Sequence, residues 1–394
     1  MRTCDQEPFC LAEIPTPFDG LKARKIRFTS AFLPDRCTPP GPCVRKEGRP
    51  KPRAAIGRAV VLDPGQFDLC IYPFYELIHR TWLPGTRDFV RFGPNLGTSL
   101  YEFIYNRGGP ELRKATELGV KRLEQAERAE RIGKDLGRCI FACNSLQTNF
   151  VRGNGFVIAP PDPDPGARKR EAELICRPCG APGMYDDHYE ALGPKPVASK
   201  DGSATGFDGK YDVIILECEQ RQPVVGSFLV EDGKWQDQKL PMPDLAICSP
   251  RILKCGVPVA ACEIPYCDNK ERQTIGNEVN WDPAATCTSF TAFGVSARGE
   301  IIVASMFEGA HLGDTARNRG ILATEMGCLM LQLGATDAVI GGGAADTQQF
   351  LDADCGDMPP LMLAPPRAKR PEEAATREVE GPRGLGAIFA VLQK

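Results

Sequence analysis

Short apolar runs bounded by turn residues predict strands in the first half of the chain. The run Arg58–Leu62 ends at the turn 63–65, Asp-Pro-Gly, where proline is well placed to begin a turn. A second apolar run, Phe67–Tyr72, follows directly. Two such runs joined by a short turn predict a β-hairpin. Cys139–Cys143 and Gly155–Ile158 have the pattern of short buried strands.

The periodicity is clearer in the last third. Thr291–Val295 and Ile301–Met306 flank a four-residue turn and predict a second hairpin. Arg319–Leu333 has apolar residues on one helical face, and Gly334 follows as a left-handed cap would. Ala338–Ile340 predicts a short strand that ends before three glycines.

These elements predict a mixed α/β (α+β) fold, in which a mixed β-sheet is packed by a few helices. The longest helical pattern is Pro110–Leu136, a charged surface helix. Residues 1–55 are rich in proline, cysteine and charge, and they predict an extended N-terminal arm with one short strand, Lys25–Phe28. Residues 56–394 predict one domain, interrupted by proline-rich insertions at about 160–209 and 356–382.

Composition indicates an ordinary globular chain, and it argues against binding to nucleic acid or insertion into a membrane. The 394 residues carry a formal net charge of −3, and their densest basic stretch, Arg45–Arg53, is broken by two prolines. No run approaches the ~18 consecutive apolar residues of a membrane span. The N-terminus lacks the apolar core of a secretion signal. We therefore expect a cytoplasmic or virion location.

Seventeen cysteines raise the question of a metal or of disulfides. Only Cys176 and Cys179 have the tight spacing of a zinc or redox pair, and the nearest second pair is Cys262 with Cys267. The alternatives are a few disulfides, or cysteines that act as small buried apolar residues. Spacing alone does not choose among these, and no cofactor other than zinc is expected.

The junction after the strand Ala338–Ile340 is the best candidate site. Gly341, Gly342 and Gly343 would leave backbone N–H groups open to an anionic oxygen. Asp346, Thr347 and Gln348 follow and would orient a sugar or a phosphate. The alternative is a tight turn where a helix and a sheet pack together.

Glu308 and His311 follow the strand Ile301–Met306, and a carboxylate near a histidine suits acid–base chemistry. The alternative is that both are exposed loop residues. With only three histidines in the chain, a multi-histidine metal site is not expected.

The order of the C-terminal motifs resembles that of the phosphodiester glycosidases, the group of the lysosomal uncovering enzyme and of exopolysaccharide-related bacterial proteins. That family has Arg-Thr-Ala-x-Gly, a hairpin, Asp-Gly, a helix ending in Leu-Gly-Ala-x-Asp-Ala, and Asp-Gly-Gly. The corresponding runs here are Phe290–Gly294, Phe307–Gly309, Leu333–Ala338 and Gly341–Gly343. The residues around Asn144 are more weakly similar to the family's Asn-Gly-Gly-Phe-Phe element.

The resemblance implies a catalytic group of Glu308, His311 and Asp346. It also implies a substrate-binding group of Asn144, Gly341, Gly342, Gly343, Thr347 and Gln348. Two charged positions of the family pattern differ, because Phe290 replaces an arginine and Gly341 replaces an aspartate. Each lost group can carry several kcal/mol of transition-state stabilisation.

Two hypotheses follow from these departures. In the first, the chain has kept the family's fold without its reaction, and it acts as a structural or binding component that self-associates or joins a larger assembly. In the second, it is a hydrolase or transferase acting on a glycosidic or sugar-phosphate bond, with Glu308 as general acid or base. Besides assembly subunits, a glycan or a sugar phosphate is the ligand to be considered.

Overall fold

The structure is a computed structural model with eighteen strands and one α-helix among the residues that it describes. Those residues are 8–30, 53–73, 138–145, 156–158, 209–218, 222–231, 234–235, 243–260, 288–308, 320–343, 347–364, 385 and 387–394.

The largest sheet, called the large sheet below, has eight strands and antiparallel pairing throughout. Its strands in chain order are β1 (Phe9–Ile14), β2 (Leu21–Thr29), β3 (Ala54–Leu62), β11 (Arg251–Lys254), β12 (Val257–Pro258), β13 (Phe290–Ser296), β14 (Ile301–Phe307) and β15 (Ala335–Gly343). They are arranged in the order β1-β2-β3-β14-β13-β15-β11-β12. Every residue of β13 and β14 is buried, so both faces of the sheet centre are covered.

Two five-stranded antiparallel sheets complete the described structure. The second sheet has the order β6-β10-β7-β8-β9, formed by β6 (Phe156–Ile158), β7 (Gly209–Cys218), β8 (Val224–Glu231), β9 (Lys234–Trp235) and β10 (Pro243–Cys248). The third sheet has the order β17-β16-β5-β18-β4, formed by β4 (Phe67–Pro73), β5 (Cys139–Asn144), β16 (Gln348–Leu351), β17 (Leu361–Leu363) and β18 (Ala387–Gln393).

One apolar core joins the three sheets. Val303 of the large sheet, Ile214 of the second and Phe389 of the third belong to the same buried cluster. The ring of Phe389 meets Phe293 edge-on at 5.4 Å and Phe141 at 6.4 Å between centroids. Because aromatic pairs prefer this edge-to-face geometry, the large and third sheets are held face to face by their aromatic residues.

The helix α1 (Ala323–Gln332) covers the other face of the large sheet. Its N-terminus is capped by its own third residue, since Glu325 accepts the backbone N–H of Leu322 at 2.8 Å. The same buried carboxylate pairs with the guanidinium of Arg53, which donates at 3.0 Å through Nη1. Gly334, at φ +99°, ends the helix in the left-handed conformation, as the sequence predicted.

The predicted mixed α/β class is wrong. The described residues form three antiparallel sheets with a single packed helix, in place of a mixed sheet covered by several helices. Successive strands either pair within one sheet or belong to different sheets. The three sheets therefore bury one another's apolar faces, and α1 covers the remaining face of the large sheet. The helix predicted at Pro110–Leu136 lies outside the described residues, and the one at Arg319–Leu333 begins four residues later than expected.

The first predicted hairpin is also wrong, although its strands are correct. Asp63 accepts the backbone N–H of Gly65 and opens a single 3₁₀ turn, after which the chain changes sheet. β3 pairs with β2 and β14, whereas β4 pairs with β18. The hairpin predicted in the last third is confirmed by the pairing of β13 with β14.

The described part of the predicted arm is built into the large sheet. β1 and β2 form a hairpin, and β2 pairs along its whole length with β3. At the other end of the chain, β17 forms within the predicted excursion at 356–382 and pairs with β16. Residues 160–208 of the predicted insertion lie outside the described residues. No helix in the described ranges combines the length and the apolar character needed to cross a bilayer.

Glu325→Gln should destabilise the fold by about 3–5 kcal/mol, because it leaves the buried guanidinium of Arg53 without its counter-charge. Urea denaturation followed by tryptophan fluorescence measures the change. The matched control is Glu300→Gln, which breaks the pair with the largely exposed Arg298 and should cost no more than about 1 kcal/mol. Equal losses for the two variants would contradict the assignment.

Candidate functional site

Six of the predicted site residues lie where the large sheet meets the third sheet, and a seventh lies at the end of β14. Asn144 is the last residue of β5, Gly341–Gly343 end β15, and Thr347 and Gln348 begin the return through β16. Glu308 follows β14 directly. The two other predicted catalytic residues, His311 and Asp346, lie outside the described residues.

The three glycines belong to a strand, so the predicted strand end at Ile340 is wrong. Gly343 is paired opposite Phe290 and Gly342 opposite Thr291, with a bulge at Gly341. All three are buried. Their main-chain groups therefore belong to the sheet, and their role in substrate binding stays a prediction.

Aromatic packing explains two of these glycines. A Cβ atom at Gly341 would lie 2.3 Å from a ring carbon of Phe293, and one at Gly343 would lie 2.8 Å from the ring of Phe290. Both distances are shorter than real Cβ contacts, so any larger residue would force the rings to move. Close packing against aromatic rings therefore accounts for these two glycines, which lie in a strand and not in the tight turn that was the alternative.

Asn144 joins the two sheets through a single atom. Its Oδ1 accepts the hydroxyl of Thr291 on the large sheet at 2.7 Å and the backbone N–H of Gln348 on the third sheet at 3.1 Å. Because a backbone N–H can only donate, the atom facing it must be the carboxamide oxygen, which fixes the orientation of the side chain. The Nδ2 donor of Asn144 consequently points away from the Thr291 hydroxyl and from the backbone N–H of Gln348.

Three buried polar groups at this position have no hydrogen-bond partner among the described residues: Nδ2 of Asn144, Oγ of Ser145 and Oγ1 of Thr347. Ser145 directly follows β5 and Thr347 directly precedes β16, and the two strands are paired with each other. Leaving a buried polar group unpaired costs about 1–3 kcal/mol. Three such groups close to the Asn144–Gln348 hydrogen bond make this position the candidate binding site.

Glu308 lies at the same end of the large sheet, where Thr288 and Ser289 hold it. Its carboxylate accepts the hydroxyl of Thr288 at 3.0 Å, and its backbone N–H donates to Ser289 Oγ at 2.9 Å. Glu308 is partly buried and is held beside Thr288, whereas Asn144 is held beside Thr291, three residues further along the chain.

Sequence reasoning missed Arg58, the largest fully buried side chain. It lies on β3 opposite Ser305 and donates to Gln349, which neighbours the predicted site residue Gln348. Burial lowers the pKa of Arg58, and the nearby Cys355 opposes that shift. A signal was present, since Arg58 stands at the head of the apolar run Ala59–Leu62, where a charge is out of place. Ser145 and Thr291, as small neutral residues, gave no such signal.

A cleft of about 580 Å³ opens near the start of β3, beside the third sheet's β17. Lys25 and Asp357 form an ion pair at its rim, and Arg27 adds a second cation. Its other lining residues, including Met358 and Met362, are mainly apolar.

The candidate zinc ligands Cys176, Cys179, Cys262 and Cys267 all lie outside the described residues. Among the residues that are described, no group of three or more suitable side chains could hold a metal ion. Cys10 and Cys328 are each part of a disulfide, whereas Cys143 carries a free thiol. Burial, with a smaller contribution from Cys139, raises the pKa of Cys143 well above its usual value, so that thiol stays protonated and unreactive.

Comparison with solved structures found distant similarities. The catalytic domain of zebrafish N-acetylglucosamine-1-phosphodiester alpha-N-acetylglucosaminidase, auto-inhibited by its pro-peptide, has a TM-score of 0.43 and 11% identity, covering 98% of this chain and 88% of its own. A protein from Burkholderia pseudomallei gives a TM-score of 0.42 at 11% identity, with 99% and 98% covered. A hypothetical protein from Synechocystis gives 0.36 at 11% identity, with 98% and 68% covered.

These likenesses amount to a distant similarity of structure, and they carry no argument about activity. Comparison with protein-family models and with curated proteins found no match.

Gly341→Ala should destabilise the protein by about 1–3 kcal/mol, because the new methyl group overlaps the Phe293 ring. Chemical denaturation measures the difference. Gly65→Ala is the control, since a Cβ there would meet only Asp63 Oδ1, at 3.3 Å, and the change should be within about 0.5 kcal/mol. A neutral Gly341→Ala would show that the rings are not packed against this strand.

Proposed function

We propose that this chain is a carbohydrate-binding protein that takes up a glycan or a sugar phosphate at Asn144, Ser145 and Thr347, and that it does not catalyse the reaction of the family it resembles. The observation that carries this proposal is the group of three buried, unpaired donors at one position.

The chemistry of the donors suits a carbohydrate. An amide N–H and two hydroxyls are neutral groups that donate to hydroxyl, carbonyl or phosphate oxygens, and the hydroxyls also accept. Sugars present closely spaced oxygens of this kind. Because a ligand that supplies acceptors removes the cost of three unpaired groups, binding recovers free energy that the folded protein lacks on its own.

Two packing observations argue against the family's reaction. Phe290, which stands where the resembled family has an arginine, is fully buried against Gly343. Gly341, which stands where the family has an aspartate, has no room for a side chain under Phe293. The positions that would carry charge are instead occupied by aromatic packing, so restoring the charges would require a rearranged core.

The second candidate is a hydrolase or transferase acting on a glycosidic or sugar-phosphate bond, with Glu308, His311 and Asp346 as its catalytic group. Glu308 favours it, because this partly buried carboxylate is held by Thr288 at the sheet end that also carries the unpaired donors.

Self-association or incorporation into a larger assembly is a separate prediction, which the single chain does not test. Native mass spectrometry of the full-length protein measures it directly.

Thr347→Val should weaken binding by about tenfold, because it removes one donor while preserving the side-chain shape. Isothermal titration calorimetry with N-acetylglucosamine, N-acetylglucosamine 1-phosphate and inorganic phosphate measures the effect and separates sugar from phosphate recognition. The matched control is Thr324→Val, which removes another buried, unpaired hydroxyl from α1 on the other face of the large sheet. Affinity should be unchanged in that control, and the proposal fails if none of the probes binds or if both variants bind like the wild type.

Glu308→Gln separates the two candidate functions. If the chain only binds, the wild type should release no product from N-acetylglucosamine 1-phosphate or from nitrophenyl glycosides, and the variant should bind as well as the wild type does. Product formation by the wild type that disappears in a folded Glu308→Gln protein would establish the second candidate in place of the first. Circular dichroism confirms that the variant is folded.

A further inference from the structure

A continuous line of hydrogen bonds runs from Arg58 to the candidate site. It passes from Arg58 through Gln349, Ser305 and Thr291 to Asn144, and all five side chains are completely buried. We call these five residues the polar relay. It crosses the otherwise apolar space between the large sheet and the third sheet.

Arg58 is an unusual starting point because, within the described part of the chain, no carboxylate pairs with its charge. Its five N–H groups donate to Gln349 Oε1, Gln349 O, Pro359 O, Pro360 O and Cys355 Sγ. None of these acceptors is a carboxylate. A buried cation that is fully hydrogen-bonded by neutral groups orients their dipoles strongly, since the low local dielectric screens it poorly.

The first consequence is a fixed orientation for Gln349. The Nε group of Arg58 can only donate, so the atom facing it at 3.1 Å must be the carboxamide oxygen. The Nε2 group of Gln349 then faces Ser305 Oγ at 3.2 Å and donates to it.

The remaining directions follow in the same way. Thr291 must donate its only hydroxyl proton to Asn144 Oδ1, at 2.7 Å, because that atom is an acceptor only. The 3.0 Å contact between Ser305 and Thr291 must therefore use the proton of Ser305. Every hydrogen bond in the polar relay points away from Arg58 and toward Asn144.

We infer that Arg58 is a positioning residue that acts through the polar relay to turn the Nδ2 donor of Asn144 toward the ligand. The inference about orientation stands on the geometry alone, whereas its effect on affinity rests on the proposed function. Arg58 touches no ligand in this scheme; through Thr291 it reinforces the carboxamide orientation that the backbone N–H of Gln348 also selects.

Gln349→Glu tests this inference, because the variant should keep its thermal stability while its affinity for the ligand falls. The new carboxylate gives Arg58 a counter-charge, so the melting temperature should stay the same or rise. A carboxylate cannot donate to Ser305, so Ser305 would donate to residue 349 and accept from Thr291. Asn144 would then lose its hydroxyl donor, and affinity for N-acetylglucosamine 1-phosphate should fall about fivefold, which corresponds to ~1 kcal/mol.

The side-chain amide of Asn144 gives a readout that needs no ligand. In ¹⁵N-asparagine-labelled protein, its signal is assigned by its loss in Asn144→Asp. Gln349→Glu should shift that signal and speed its exchange with water, and Thr291→Val should produce the same change by removing the donor directly. The double variant should show no further change, because both substitutions break the same line of hydrogen bonds.

The outcomes separate the two proposals. A shifted Asn144 signal without loss of stability supports the relay, and if no probe binds even the wild type, only the proposed function fails. An Asn144 signal that is unchanged in Gln349→Glu overturns the relay. So does a parallel fall in melting temperature and affinity, since that result indicates a structural role alone.

Discussion

The structure depends on one shared acceptor, the Oδ1 atom of Asn144, on which two sheets converge. A hydroxyl from the large sheet and a backbone N–H from the third sheet both donate to it. The two sheets also meet through apolar side chains such as Phe293 and Phe389, which are not directional, and through the hydrogen bonds of Gln349 with Arg58 and Ser305. The hydrogen bonds to Asn144 are directional, so they contribute to the alignment of the sheets and set the orientation of the carboxamide.

Two neighbouring residues of β13 show how apolar packing and hydrogen bonding alternate along one strand. Phe290 belongs to the buried cluster that includes α1, whereas Thr291 points toward the third sheet and Asn144. This alternation follows from the two-residue period of a strand. It explains how Phe290 can be enclosed by apolar residues while the adjacent Thr291 keeps its hydrogen bond to Asn144.

Local patterns in the sequence predicted individual elements better than they predicted how those elements combine. The β13–β14 hairpin and the glycine cap of α1 were predictable, because each depends on residues close together in the chain. The assignment of β3 and β4 to different sheets was not, because the turn at Asp63 is compatible with either outcome and long-range pairing decides between them.

The candidate site shows the same limit. Asn144 was found by its resemblance to a family motif, Thr347 and Gln348 were found as polar residues that follow the three glycines, and the structure brings Asn144 and Gln348 into contact. Arg58 was missed because its partners, Gln349 and the carbonyls of residues 359 and 360, lie almost 300 residues further along the chain. No local pattern could have paired it with a buried amide.

The central claim is that the Nδ2 donor of Asn144 is directed at a ligand position. A high-resolution crystal structure of the protein soaked in N-acetylglucosamine 1-phosphate tests it most directly. The account predicts a ligand oxygen about 3 Å from Nδ2, with Oδ1 still accepting from Thr291 and Gln348. A structure in which Nδ2 donates to a protein carbonyl, with the sugar elsewhere or absent, would contradict the account.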